Sequence, residues 1–151
     1  MTTLKIGDKA PNFESTNQKG ESVKLSDFAG KKLVVFFYPK ASTPGCTAEA
    51  CSLRDNYQTF QAKGYEIIGV SADSAKRQQN WINKNELPFD LLVDEGKEVI
   101  NAFGVWGPKK FMGREFDGIH RMTFIIDENG VISDIIKKVK TKEHTAQILG
   151  E

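Results

Sequence analysis

The sequence predicts an α/β fold: one domain spanning residues 1–151, in which a βαβ unit is followed by a β-hairpin and a terminal helix. Three observations predict it. Leu33–Tyr38 is an unbroken run of six apolar residues, too short for a buried helix and rich in β-branched and aromatic types, as in a central strand covered on both faces. After it the period changes, and Cys46, Ala50, Leu53, Tyr57 and Phe60 recur every three or four residues, marking one face of an amphipathic helix. Near the C-terminus, Met122–Ile126 and Val131–Ile136 flank Asp127-Glu-Asn-Gly130, a strong hairpin turn.

Taken in order, the first thirty residues are punctuated by Gly7-Asp8, Pro11-Asn12 and Lys19-Gly20, which predicts a short hairpin. Ser26 is placed to cap a single helical turn ending at Gly30. Pro39 ends the central strand. Thr43 is the expected N-cap of the long helix, Pro44 suits its first position, and Gly64 closes it. Tyr65–Ser71 reads as a second strand, and Ser74–Lys84 as a helix contributing Trp81 and Ile82 to the core. A short strand is expected at Leu91–Val93, and a short helix at Lys97–Phe103, closed by Gly104. After the hairpin, Thr141 is the expected cap of a last helix over Lys142–Leu149. This order is the layout of a thioredoxin-like sheet, with the segment from about Ser71 to Arg121 expected as an elaboration between its two halves.

Lys plus Arg number 21 against 20 Asp plus Glu, a net charge of +1, so bulk electrostatics favours neither nucleic acid nor an anionic membrane surface. No apolar run approaches the roughly 20 residues needed to span a bilayer. The opening Met1-Thr-Thr-Leu-Lys-Ile-Gly7 has no apolar signal core, which predicts a cytoplasmic chain. No phosphate-cradling or dinucleotide-binding glycine motif occurs.

Two cysteines, Cys46 and Cys51, are too few for a disulfide framework. Cys46 falls in the first helical turn after a buried strand, where unpaired N–H groups and the helix dipole stabilise a thiolate. It is also in phase with the apolar stripe, so a role as a small buried filler remains open. Cys51 lies about 140° around the helix from it, off that stripe. On an ideal helix the two Cα atoms are roughly 8–9 Å apart, beyond the limit of about 7 Å for a disulfide. Any pairing of these thiols therefore requires the helix to unwind. The spacing is not that of a Cys-x-x-Cys exchanger, and with His120 and His144 distant in sequence a structural metal is not expected.

The run Phe37-Tyr-Pro39-Lys-Ala-Ser-Thr43-Pro-Gly-Cys46-Thr-Ala-Glu49-Ala-Cys51 strongly resembles the peroxiredoxins, whose P-x-x-x-T-x-x-C signature is met by Pro39, Thr43 and Cys46. A second cysteine five residues on is similar to the bacterioferritin comigratory protein, or PrxQ, subfamily. Gly104-Val-Trp-Gly, Lys110-Phe-Met-Gly-Arg114 and Gly118-Ile-His-Arg121-Met-Thr-Phe124 agree, so the likeness covers nearly the whole chain. Members usually carry Asp-Asn where this chain has Ala41-Ser42.

The resemblance implies a thioredoxin-like fold with a peroxiredoxin-type N-terminal hairpin and central insertion. It implies that Cys46 is the peroxidatic thiolate and Cys51 the resolving thiol. Thr43 would hold thiolate and peroxide, Arg121 would stabilise charge as the O–O bond breaks, and Pro39 would shape the pocket. Read without the resemblance, Arg121 is an ordinary solvated residue at a strand end. Glu49 either pairs with an arginine or favours the helix dipole, and Trp106 is expected in the core. The implied cycle runs from a Cys46 sulfenic acid to a Cys46–Cys51 disulfide, reduced by thioredoxin or glutaredoxin, in a monomer without metal, haem or flavin. Two other readings stand beside it: a peroxide-sensing redox switch, and a thiol–disulfide oxidoreductase.

Overall fold

In the computed structural model, which describes residues 2–150, the first elements are a small antiparallel hairpin, β1 (Glu14–Thr16) and β2 (Ser22–Lys24). The helical turn that follows is a 3₁₀ turn over Leu25–Phe28, and Ser26 lies inside it rather than capping it. The carboxylate of Asp27 takes the capping role by accepting from the Lys24 N–H at 2.9 Å.

The apolar run becomes β3 (Lys32–Phe37). The long helix expected after it is two helices, α1 (Pro44–Asp55) and α2 (Tyr57–Ala62). The break falls at Asn56, whose side-chain amide donates to the Ser52 carbonyl at 2.8 Å, a local side-chain bond that competes with helix continuation. Next come β4 (Tyr65–Ser71), α3 (Ala75–Asn85, with Ser74 as N-cap), β5 (Asp90–Val93) and α4 (Glu98–Ala102). A second hairpin follows, β6 (Trp106–Phe111) and β7 (Arg114–Ile119), then β8 (Met122–Ile126) and β9 (Ile132–Ile136). The C-terminus is a 3₁₀ turn over Thr141–Glu143 that runs into α5 (His144–Leu149). Thr141 therefore starts the turn instead of capping the helix.

The central sheet has the order β5-β4-β3-β8-β9, with β3, β4 and β5 parallel and β8 and β9 antiparallel to their neighbours. The element order read as thioredoxin-like is thus realised. The segment expected as an elaboration contributes the short strand expected within it as β5, an edge strand of the main sheet, as well as the unforeseen β6–β7 hairpin. That hairpin turns at Met112-Gly113, both at positive φ, a geometry usually announced by Asn-Gly or Asp-Gly.

Alternation along β3 divides the interior. Leu33, Val35 and Phe37 pack with Val99, Ile100, Phe103 and Phe124 on one face. Val34, Phe36 and Tyr38 pack with Cys46, Ala50, Leu53, Phe60 and Trp81 on the other. Gly69 of β4 lies between Phe36 and Leu91, where a Cβ would come within 2.7 Å of both side chains. Close strand packing requires a glycine there.

Candidate active site

The register of β3 against β8 builds the site. Phe37 pairs with Met122, so Arg121, the residue before β8, stands beside the loop that leaves β3 and enters α1. That loop is fastened from the end of β4: the Ala41 N–H donates to Asp73 Oδ2 at 2.7 Å, and Arg77 pairs with Asp73 at 3.2 Å. Ser42 sits at φ 68°, in the left-handed region that asparagine tolerates better than most residues. The departure from Asp-Asn at Ala41-Ser42 therefore has a backbone consequence at Ser42, while the loop keeps its anchor through Asp73.

Thr43 is the N-cap of α1 by position, with Pro44 in the first turn, but no side chain caps the helix. The Thr43 hydroxyl instead donates to the Lys40 carbonyl at 2.8 Å. Cys46 lies in this uncapped first turn and is 1% exposed. It does pack in the apolar cluster, as the filler reading required, yet its sulfur is not apolar-bound. Arg121 Nη2 donates to Cys46 Sγ at 3.3 Å, while Nη1 of the same guanidinium holds Glu49 Oε1 at 2.8 Å. One planar fork thus joins the thiol to a carboxylate one helical turn further along α1.

Burial works against the Arg121 charge, but Cys46 and Glu49 together outweigh it and hold the guanidinium above its ordinary range. Glu49 is fully buried; desolvation pushes its carboxyl up from 4.5 to about 7, against the pull of Arg121. Its second oxygen, Oε2, has no hydrogen-bond partner and lies 3.3 Å from Nε2 of His144, also fully buried. Lys109 of β6 is drawn toward the same centre, donating to the Ile119 carbonyl at 2.8 Å. Its ammonium is pushed down by burial and then by Arg121, with Cys46 opposing. Tyr38, buried above Trp81, donates its hydroxyl to Gln78 Oε1.

Cys51 is half-buried, and both thiols are free. They lie on one unbroken helix, α1, so the chain holds them apart at helical spacing. Pro39, half-buried, follows Tyr38 directly at the exit of β3. Trp106 packs against the core with the Lys97 ammonium 4.9 Å above its ring. Among the described residues, no group of three or more His, Cys, Asp or Glu side chains is arranged to hold a metal ion, and no helix is long and apolar enough to cross a membrane. Sequence reasoning missed His144, Lys109 and the burial of Glu49. The last had a signal, because Glu49 falls within the apolar stripe of α1, where an acid needs a partner.

A thioredoxin-like sheet with a thiol–guanidinium pair at the start of the helix after its central strand defines a class: thioredoxin-fold proteins with a cysteine at the head of that helix. The AhpC/TSA family model matches residues 6–135, and the chain belongs to that family. A putative peroxiredoxin bcp of Haemophilus influenzae is 48% identical over 149 residues, covering 99% of this chain and 96% of that protein. Peroxiredoxin Bcp of Bacillus subtilis is 48% identical over 147 residues, covering 97% and 94%. Among solved structures, Xanthomonas campestris bacterioferritin comigratory protein, described in connection with its alkyl peroxide reduction activity, superposes with a TM-score of 0.90. The identity there is 32%, and the match covers 99% of this chain and 96% of that one.

Proposed function

We propose that this peroxiredoxin, a thiol-dependent peroxidase, reduces hydrogen peroxide and organic hydroperoxides through Cys46, with Cys51 as the resolving thiol. The observation that carries the assignment of Cys46 is the 3.3 Å contact from the Arg121 guanidinium to its sulfur at an uncapped helix start. Both features favour an anion on sulfur.

The Cys46 thiolate attacks the terminal peroxide oxygen. The S–O bond forms as the O–O bond breaks; sulfur is oxidised to a sulfenic acid, and the departing alkoxide or hydroxide takes up a proton to leave as alcohol or water. Arg121 stabilises the negative charge as it passes from sulfur to the leaving oxygen. The Thr43 hydroxyl has its proton committed to the Lys40 carbonyl, so its oxygen is left to accept from the peroxide O–H and orient it. Pro39 walls the approach and limits water. These roles for Thr43 and Pro39 rest on their half-buried positions around a buried sulfur.

Cys51 then condenses with the sulfenic acid, giving a disulfide and releasing water. Because both cysteines lie on α1, its early turns unwind for this step. A dithiol protein of the thioredoxin kind returns the pair to thiols by exchange, with glutaredoxin as the other candidate. The enzyme acts as a monomer in the cytoplasm, where a reducing thiol pool keeps the cycle running. A coupled assay with thioredoxin and its reductase tests this reading. Sustained turnover is expected, abolished by Cys46→Ser; Cys51→Ser keeps one round of peroxide consumption but loses thioredoxin-linked turnover. Turnover by the Cys46→Ser protein, or wild-type consumption that stops after one equivalent with reductant present, overturns it.

A further inference from the structure

Beyond Arg121 the polar chain continues inward to α5. His144 Nδ1 lies 3.0 Å from Gln147 Oε1. The orientation of that amide is set independently, since its oxygen accepts from the Lys140 N–H at 2.8 Å and its nitrogen donates to the Lys138 carbonyl at 2.9 Å. An oxygen facing Nδ1 requires a proton on Nδ1. A neutral imidazole in that tautomer leaves Nε2 as a lone pair, which accepts from the Thr123 hydroxyl at 2.7 Å and offers no proton to Glu49 Oε2, 3.3 Å away. Glu49 Oε2 is the carboxylate oxygen that nothing else reaches. A lone-pair nitrogen beside an unpartnered carboxylate oxygen in the interior is repulsive, and one extra proton on either group removes the repulsion.

We propose that His144 is a positioning residue that keeps a proton on the buried Glu49–His144 pair, so that the charge of Arg121 is left to the Cys46 sulfur. With that proton, as carboxylic acid plus imidazole or as carboxylate plus imidazolium, the pair carries no net charge. Without it, a full carboxylate lies 2.8 Å from the guanidinium and competes with the thiolate for the same cation. Burial favours the first arrangement, since it pushes His144 down to about 4 and Glu49 up to about 7. The groups facing the pair are Cys46 on α1, Arg121 before β8, Thr123 on β8 and Gln147 on α5, while Lys142 and Glu143, in the 3₁₀ turn that packs on α1, are exposed. Tyr38, after β3, feels the charge of both Glu49 and Cys46 and remains protonated through burial. Lys109, on β6, acts on the centre through Arg121 and Cys46.

The proposal rests on Cys46 being the reactive thiol, and its test reads the thiolate directly by ultraviolet absorbance against pH, with no peroxide present. Glu49→Gln imitates the neutral acid, accepting from Arg121 and donating to His144. Thiolate formation should then stay where the wild-type protein has it or move to lower pH, because no carboxylate competes with Cys46 for the Arg121 charge. His144→Asn places an N–H donor against Glu49, favours the carboxylate, and should shift thiolate formation upward. The rate with peroxide at neutral pH should then fall by about threefold to tenfold, a shift of up to about one pH unit. The double variant should reverse the upward shift of His144→Asn, since no carboxylate remains to ionise. A merely structural His144 would instead give damage that persists in the double variant. A Glu49→Gln curve shifted to higher pH, or a double variant as shifted as His144→Asn alone, overturns the proposal. Should His144→Asn fail to fold, the Glu49→Gln curve decides by itself. Expected thiolate curves in a protein with no peroxide turnover would sink the peroxidase reading and leave this one standing.

Discussion

Thr145 of α5 grips Ser52, the residue next to Cys51, at three points. Its N–H donates to Ser52 Oγ at 3.2 Å, its hydroxyl donates to the Ser52 carbonyl at 2.8 Å, and Ser52 Oγ lies 3.2 Å from the Thr145 hydroxyl oxygen. Asn56 adds a bond to the same oxygen at 3.3 Å. The C-terminal helix is therefore fastened to the half of α1 that carries Cys51, and the unwinding proposed for disulfide formation works against that clasp.

Thr145→Val keeps the shape and the N–H bond and removes the hydroxyl bonds. Net hydrogen bonds contribute about 1 kcal/mol each, so loss of the 2.8 Å bond to the Ser52 carbonyl alone should accelerate disulfide formation after one equivalent of peroxide by roughly fivefold, and the two longer contacts add to that, with a matching loss of thermal stability. Rapid-mixing measurement of thiol loss checks this. An unchanged rate would mean that α1 unwinds only at its first turn, without disturbing Ser52.

Trp81 is placed to report that unwinding. Its indole N–H donates to the Thr47 hydroxyl at 3.0 Å, and its ring lies 5.0 Å from that of Tyr38. Thr47 follows Cys46, so loss of helix at the first turn removes the partner of a buried indole. In a Trp106→Phe background, Trp81 fluorescence should change when the disulfide forms and return on reduction. Cys51→Ser should abolish that change while leaving peroxide consumption in one round. A fluorescence step that persists in Cys51→Ser would assign the signal to sulfenic acid formation instead.

Arg121→Lys tests the fork. A lysine has one charge centre and cannot hold Cys46 Sγ and Glu49 Oε1 in a single plane. Loss of one donor to developing charge costs about 3 kcal/mol in comparable oxyanion sites, so the rate with peroxide should fall by about a hundredfold. Stopped-flow single turnover is the measurement. A loss below threefold would show that net positive charge suffices and that the fork geometry contributes little.

The contrast between what was readable and what was not follows from sequence distance. The start of α1 was legible because Thr43-Pro44 is a local signal, and β3 because burial on both faces leaves an uninterrupted apolar run. The β6–β7 hairpin was not, because Met112-Gly113 adopts its turn without the usual Asn or Asp. The Arg121–Cys46 contact spans 75 residues and depends on one register, Phe37 against Met122. No local pattern announces such a register, and only the family resemblance pointed to it. His144 was the least legible. A single histidine at the start of a short helix carries no local sign of burial, and only the packing of α5 on α1 brings it to Glu49.

The Glu49–His144 pair also makes a prediction about stability that can be signed. Glu49 rises from 4.5 to about 7 on folding, so between those values the folded chain holds a proton that the unfolded chain has released. Its contribution to stability therefore falls as pH rises through that window. His144 drops from 6.5 to about 4, so between those values the unfolded chain holds the extra proton, and stability rises with pH. From about pH 4.5 to 6.5 the two slopes oppose each other, because folding only moves one proton from His144 to Glu49. The wild-type pair should contribute almost no pH dependence there. Glu49→Gln removes one side of the balance and should make stability climb between pH 4.5 and 6.5, by an amount on the order of 3 kcal/mol for a fully buried histidine. Urea denaturation midpoints at the two pH values, compared with wild type, give the answer. A Glu49→Gln protein whose pH dependence matches that of wild type would mean that His144 already carries its proton in the fold, making the pair carboxylate and imidazolium rather than acid and base.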